Sequence, residues 1–264
     1  MIPKLIHYCW FGNNPLPALA VKCIESWRKY LPQYEIKKWD ESNFNVDIIP
    51  YTSEAYAAKK YAFVSDYARF WILYKYGGIY FDTDVEVIKS MDDILQNGAY
   101  MGYESDLTTH HLNGAINPGL GFACEPNMPI IKELLTMYNC LHFCVNGVYN
   151  YKTILSYTTE IFFKNGLELK DGLQKCAGFT IYPSDYFNPL NTHTHVIEIT
   201  DNTRSIHHYM ASWESKSHLN KIWKYVKYRI IIPLLPVWLV NKIVTDNKVR
   251  NDEKIKKMFT NHEI

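Results

Sequence analysis

The stretch Ser65-Asp66-Tyr67-Ala68-Arg69, continued by Gly77-Gly78-Ile79-Tyr80-Phe81-Asp82-Thr83-Asp84, decides how this chain is read. Residues 62–76 are strongly apolar and predict a buried helix, with Gly77-Gly78 as its C-cap. Residues 79–81 then predict a buried strand, and residues 85–88 another. Asp66 and Arg69 stand three apart in the apolar helix, so both project from one face near its start. Asp82 and Asp84 alternate at the end of an apolar strand, where one carboxylate can face a ligand and the other a metal. Charges on apolar elements need partners. A divalent cation with a diphosphate would supply them, because Mg²⁺ and Mn²⁺ take oxygen ligands and commonly bridge carboxylates to phosphates. Taken singly, an Asp-x-Asp pair or a helical Asp–Arg pair is ordinary solvated surface. The combination, with the double glycine at its offset, carries the weight.

Outward from this segment, strands and helices alternate. Residues 4–10 predict a strand closed by the turn Phe11-Gly12-Asn13-Asn14. A helix over residues 17–30 carries Leu19, Cys23 and Trp27 at helical spacing and is stopped by Pro32. Residues 34–39 read as a strand and 52–59 as a short helix; helices follow over 130–138 and 153–165, and strands over 179–182 and 196–199. This is the α/β pattern, in which ligands lie beyond the carboxyl ends of the strands.

Composition agrees. A chain of 264 residues that is 47% hydrophobic and 21% charged can bury a full core, which excludes disordered, collagen-like and coiled-coil classes. Aromatic residues make up 15%, enough to serve both core packing and stacking on rings of a ligand. The net charge of +1 hides an asymmetry: residues 215–264 carry +7 and the remainder −6. Within that tail, residues 230–240 are apolar but interrupted by Pro233 and Pro236, too short to span a bilayer. Lys221, Lys224, Lys227, Arg229, Lys242 and Lys248 frame this run, and Trp223, Tyr225, Tyr228 and Trp238 are interleaved. Such a segment suits either an anionic membrane surface or a helical hairpin packed on the domain. Residues 1–12 read as a strand with no charged leader and apolar core, so the expected compartment is the cytoplasm. The six cysteines are then expected as free thiols, and Cys140 and Cys144 lack a second pair at zinc-finger spacing.

The segment resembles the glycosyltransferases of family 32, whose motif has the form S-D-x-x-R-x-x-x-L-x-x-x-G-G-x-Y-x-D-x-D. Ser65-Asp66, Arg69, Leu73, Gly77-Gly78, Tyr80, Asp82 and Asp84 match it throughout. Ile2–Gly12, Thr180–Pro189 and Ile206–Trp213 are similar to further segments of its bacterial capsular-polysaccharide branch, so the resemblance covers most of residues 1–213.

The resemblance implies a GT-A (Rossmann-like) catalytic domain over residues 1–214, followed by a basic and apolar extension over 215–264. It implies a retaining, hexose-transferring enzyme that uses Mn²⁺ or Mg²⁺ and a nucleotide-sugar donor of the UDP-sugar type. The implied acceptor is a saccharide or a polyprenyl-linked saccharide at the inner face of the bacterial membrane, and no nucleic acid is a partner. By resemblance Trp10 stacks on the base, while Asp66 and Arg69 hold the transferred sugar and the diphosphate. Tyr80 lies beside the metal, Asp82 reaches ribose, sugar or metal-bound water, and Asp84 ligates the metal. Ser212 and Trp213 approach the phosphates. A late histidine completes the metal site, with His208 the first candidate and His207 the second, since strand neighbours point to opposite faces. His110 and His111 fall in a predicted loop and are left out of the metal set. The polar stretch over residues 103–125, with Asn113-Gly114 and Asn117-Pro118-Gly119, is a candidate acceptor wall or simple connection. Two other classes share these motifs: a non-catalytic binder of nucleotide sugars, and a protein-glycosylating toxin.

Overall fold

Strand β1 (Leu5–Cys9) forms where apolar and aromatic residues run without a break, and its last four residues are buried. Helix α1 (Ala18–Tyr30) follows and buries Ala20, Cys23, Ile24 and Trp27, an i, i+3, i+4, i+7 stripe against the sheet. Strand β2 (Glu35–Trp39) returns parallel to β1 in the register Leu5↔Glu35. Next come α2 (Pro50–Ala57), α3 (Tyr61–Tyr76), β3 (Gly78–Tyr80) and β4 (Val85–Val87). The chain continues through α4 (Asp92–Gln96), β5 (Tyr100–Gly102), β6 (Phe122–Cys124), α5 (Pro129–Asn139), β7 (Cys144–Val145) and β8 (Val148–Tyr149). It closes with α6 (Ile154–Lys164), β9 (Gln174–Cys176), β10 (Phe179–Tyr182), α7 (Ser184–Phe187) and β11 (Ser205–His207).

This computed structural model describes residues 1–104, 115–168, 170, 172–190 and 196–210. The unit formed by Met1–Pro189 and Ile199–Met210 holds a seven-stranded sheet in the order β2-β1-β3-β6-β5-β10-β9. All strands but β6 and β9 run the same way. Two apolar clusters line its faces, one drawing on α2, α3, α5 and α6, the other on α1, α4 and α7. This is the expected α/β arrangement. Apart from the sheet, β11 pairs antiparallel with β4. Of the second unit, the described part is an antiparallel bridge between Leu190 and Ile197, to which the strand expected over residues 196–199 is reduced. The expected boundary after residue 214 and the whole basic extension lie outside the described residues, as do His110, His111 and Asn113-Gly114. Among the described residues no helix is long and apolar enough to cross a membrane.

The predicted loop over residues 103–125 needs correction. Phe122–Cys124 is a fully buried strand in the middle of the sheet, antiparallel to both neighbours. Three residues buried on both faces show no alternation, so periodicity cannot reveal them.

Helix α3 feeds β3 through the double glycine. Gly77 caps the helix, its N–H bonded to the Leu73 carbonyl, and Gly78 has φ +99 with Leu5 O only 2.6 Å from where a Cβ would stand. A side chain there would force β3 away from β1. His7 secures the same junction. Trp39 Nε1 donates to its Nδ1 at 3.0 Å, so its Nε2–H donates to Gly77 O, also at 3.0 Å. Burial pushes the His7 pKa down to about 4, against the support of Gly77 O. The unfolded chain therefore takes up this proton first as pH falls below about 6.5, and the stability from neutral His7 is lost downward from there. Between pH 7.5 and 5 the loss attributable to His7 is about 2 kcal/mol. Urea unfolding of wild type and His7→Gln at both pH values checks this: the variant should show the shallower pH dependence. An identical slope would refute it.

Candidate active site

Nearly every position of α3 faces protein: Phe63, Val64, Tyr67, Ala68, Phe70, Ile72 and Leu73 are buried, and so are Asp66 and Arg69. The two ionic residues must therefore find partners inside. Arg69 Nη2 meets Asp66 Oδ1 at 3.0 Å, and its two Nη atoms fork onto the Asp82 carboxylate at 3.2 Å each. Its Nε donates to Ser65 O, and its guanidinium lies 4.8 Å from the centre of the Tyr80 ring. Tyr80 in turn donates its hydroxyl to Asp82 Oδ1 at 3.1 Å. Asp66, Arg69, Tyr80 and Asp82 thus form one cluster at the carboxyl end of β3.

One guanidinium shared between two carboxylates, Asp66 buried and Asp82 partly so, leaves excess negative charge. Burial pushes the Asp66 carboxyl up to about 7; Arg69 draws it down and Asp82 raises it further. Burial likewise raises Asp82 despite Arg69, and Asp84 adds to that rise. For Asp84 burial acts the same way, but the His207 hydrogen bond and the Met210 N–H outweigh it and hold the carboxyl below its usual value. The contacts are His207 Nε2 to Asp84 Oδ1 at 3.2 Å and Met210 N–H to Asp84 Oδ2 at 2.8 Å.

His208, the first candidate for the late ligand, does not face Asp84. Asp84 lies in the turn that precedes β4, outside the alternation of the β4–β11 ladder, whose register is His207↔Val85 and Ile206↔Glu86. His208 falls on the Glu86 side, its Nε2 at 2.8 Å from Glu86 Oε2, and Lys22 Nζ reaches the same carboxylate at 2.9 Å. His207, the second candidate, carries the contact to Asp84. Trp10 is half-buried just beyond β1, with its indole N–H donated to Asn14 O at 2.6 Å. Ser212 and Trp213 lie outside the described residues.

The structure gives particular roles to residues that the sequence placed only in a polar stretch. Asn117 Oδ1 accepts from Gly119 N at 2.7 Å, shaping the turn before β6. A Cβ on Gly119 would stand 2.5 Å from Asp82 Oδ2 and 3.5 Å from Arg69 Nη1. The Asn-Pro-Gly sequence is the one signal that could have marked this turn. Glu104 follows β5 and, through charge, helps raise the His207 pKa; burial lowers it, and Asp84 and Asp82 raise it more strongly.

A divalent cation fits this chemistry. Among the described residues no three His, Cys, Asp or Glu side chains form a closed metal cage. Mg²⁺-type sites are usually built from one or two carboxylates completed by substrate phosphates and water. Asp84 with His207 supplies such a partial set, and the unbalanced carboxylates around them favour positive charge.

Residues 17–100 match the family described as glycosyltransferase sugar-binding region containing DXD motif. Inositol phosphoceramide mannosyltransferase 3 of Schizosaccharomyces pombe is 32% identical over 61% of this chain and 43% of its own length. An uncharacterized glycosyltransferase of Acanthamoeba polyphaga mimivirus is 30% identical over 51% of this chain and 54% of its own. The chain spans about half the length of these relatives. A solved glycosyltransferase involved in glycosylation of the major capsid of PBCV-1 is 13% identical, with a TM-score of 0.47 over 80% of this chain and 95% of that one. The stretch from α1 to the start of β5 is therefore similar to a glycosyltransferase sugar-binding region of the DXD type.

Gly119→Ala should lower transfer from a nucleotide sugar about tenfold or more, because a displaced Asp82 carboxylate spoils donor alignment. Its melting temperature should move by less than about 5 °C. Wild-type turnover in this variant would show that the close approach has no bearing on the site.

Proposed function

We propose that the chain is a retaining, metal-dependent hexosyltransferase that takes its donor, a UDP-sugar, in this site. The observation that carries the reading is the buried Arg69 forked onto Asp82 and paired with Asp66, on the segment that matches the family. Trp10 stacks on the base, Asp66 and Asp82 accept hydrogen bonds from sugar and ribose hydroxyls, and Arg69 holds both carboxylates while lending positive charge to the diphosphate. Asp84 and His207 would hold Mn²⁺ or Mg²⁺, which supplies charge neutralisation to the leaving diphosphate. Ser212 and Trp213 are assigned to the phosphate side.

The acceptor hydroxyl attacks the anomeric carbon from the face that the diphosphate leaves. The bond to the diphosphate oxygen breaks with its electron pair staying on that oxygen, and a diphosphate oxygen takes the hydroxyl proton. No side-chain nucleophile is needed. The acceptor is a saccharide or lipid-linked saccharide, in the synthesis of a capsular or surface polysaccharide at the inner face of the membrane. The basic extension supports that placement through its charge, about 1 kcal/mol per basic residue near an anionic leaflet. The fission-yeast relative, by its name, transfers mannose to a lipid headgroup, which favours the lipid-linked branch.

Asp84→Asn should keep the fold and abolish Mn²⁺-dependent transfer, since an amide is a poor substitute for an anionic oxygen ligand. His207→Ala should raise the Mn²⁺ concentration for half-maximal activity by about tenfold or more, and His208→Ala by far less. Activity titrated with Mn²⁺ reads both. Near wild-type transfer by Asp84→Asn would overturn the metal site, and the reverse ranking would move the ligand to His208.

A further inference from the structure

The His207 ring is bonded at one nitrogen only. Its Nε2 meets Asp84, while its buried Nδ1 has no hydrogen-bond partner among the described residues. Histidines that bind metals are commonly oriented through the second nitrogen. Among the described residues, packing by one aromatic neighbour orients it. The Tyr209 ring stands edge-on to the imidazole, with centroids 4.2 Å apart and planes at 79°.

Tyr209 is itself held firmly. Its hydroxyl donates to Glu104 Oε1 at 3.0 Å and accepts from Asn188 Nδ2 at 2.8 Å. Asn188 Nδ2 also bonds the Glu104 carbonyl at 2.8 Å, so both anchors are fixed to each other at the end of β5. The Tyr209 backbone sits at φ +48, a left-handed conformation that a tyrosine keeps only under constraint. Strain of this kind, one residue beyond the His207-His208 pair and one before the Met210 amide that caps Asp84, gathers where geometry matters.

We propose that Tyr209 is a positioning residue: tethered by Glu104 and Asn188, its ring braces the His207 imidazole toward Asp84, so that a divalent cation meets both ligands already aligned. The inference rests on the reading of Asp84 and His207 as the metal pair. It adds a part that acts through His207 without touching metal or donor.

Mn²⁺ alone, titrated into the full chain with free aqueous Mn²⁺ counted by electron paramagnetic resonance, tests it without reference to turnover. His207→Ala should weaken Mn²⁺ binding about tenfold or more. Tyr209→Phe, which keeps the ring and loses the tether, should weaken it about three- to tenfold. In the His207→Ala background the same change should cost less than about twofold, because the two residues act as one unit. Equal losses in both backgrounds, or none in either, would overturn the brace while leaving the metal pair standing. An unchanged affinity in His207→Ala alone would overturn the metal pair, and the brace with it. Should Tyr209→Phe not stay folded at the assay temperature, Asn188→Ala removes one of the two bonds to the same hydroxyl and must give the same pattern in direction, with a smaller loss.

Discussion

A guanidinium buried between two carboxylates organises this molecule. Arg69 is enclosed by apolar neighbours on α3, and its charge is met by Asp66 one turn earlier and by Asp82 on the next segment of the chain. Removing one partner from such a set strands a buried charge, at a cost of about 3–5 kcal/mol. The interaction fixes the approach of α3 to the end of β3, and the intervening double glycine allows that approach. It also leaves the cluster short of positive charge. An ionic core of this kind contributes little to stability by itself.

The second half of the site is delivered by a different device. Arg204 is nearly buried, pairs with Asp93 at 2.6 Å and binds the Asp201 and Asn202 carbonyls. It pins the turn that precedes β11. Pairing of β11 with β4 then brings His207 beside the turn that carries Asp84.

The organising cluster was legible in the sequence because several independent signals coincide within about twenty residues: an apolar helix, charges three apart on it, a glycine stop and an alternating acidic strand end. The outer strands β1, β2 and β10 were legible for a similar reason, having four or five residues and clear turns around them. β5 and β6 were not: they are as short and as buried as β3, but lack its glycine stop and acidic end. Gly119 and Tyr209 were invisible for another reason: their roles depend on partners far along the chain, Asp82 and Glu104. That His207 rather than His208 meets Asp84 depends on the turn that holds Asp84, which strand alternation does not describe.

The most direct test of the account is nucleotide binding with and without metal. Titration calorimetry of UDP into the protein should show binding at least about tenfold tighter with Mn²⁺ than with a chelator, because Asp84, His207 and the diphosphate complete one coordination shell only together. Binding of equal strength in the chelator, or no binding of UDP with Mn²⁺ present, would contradict it.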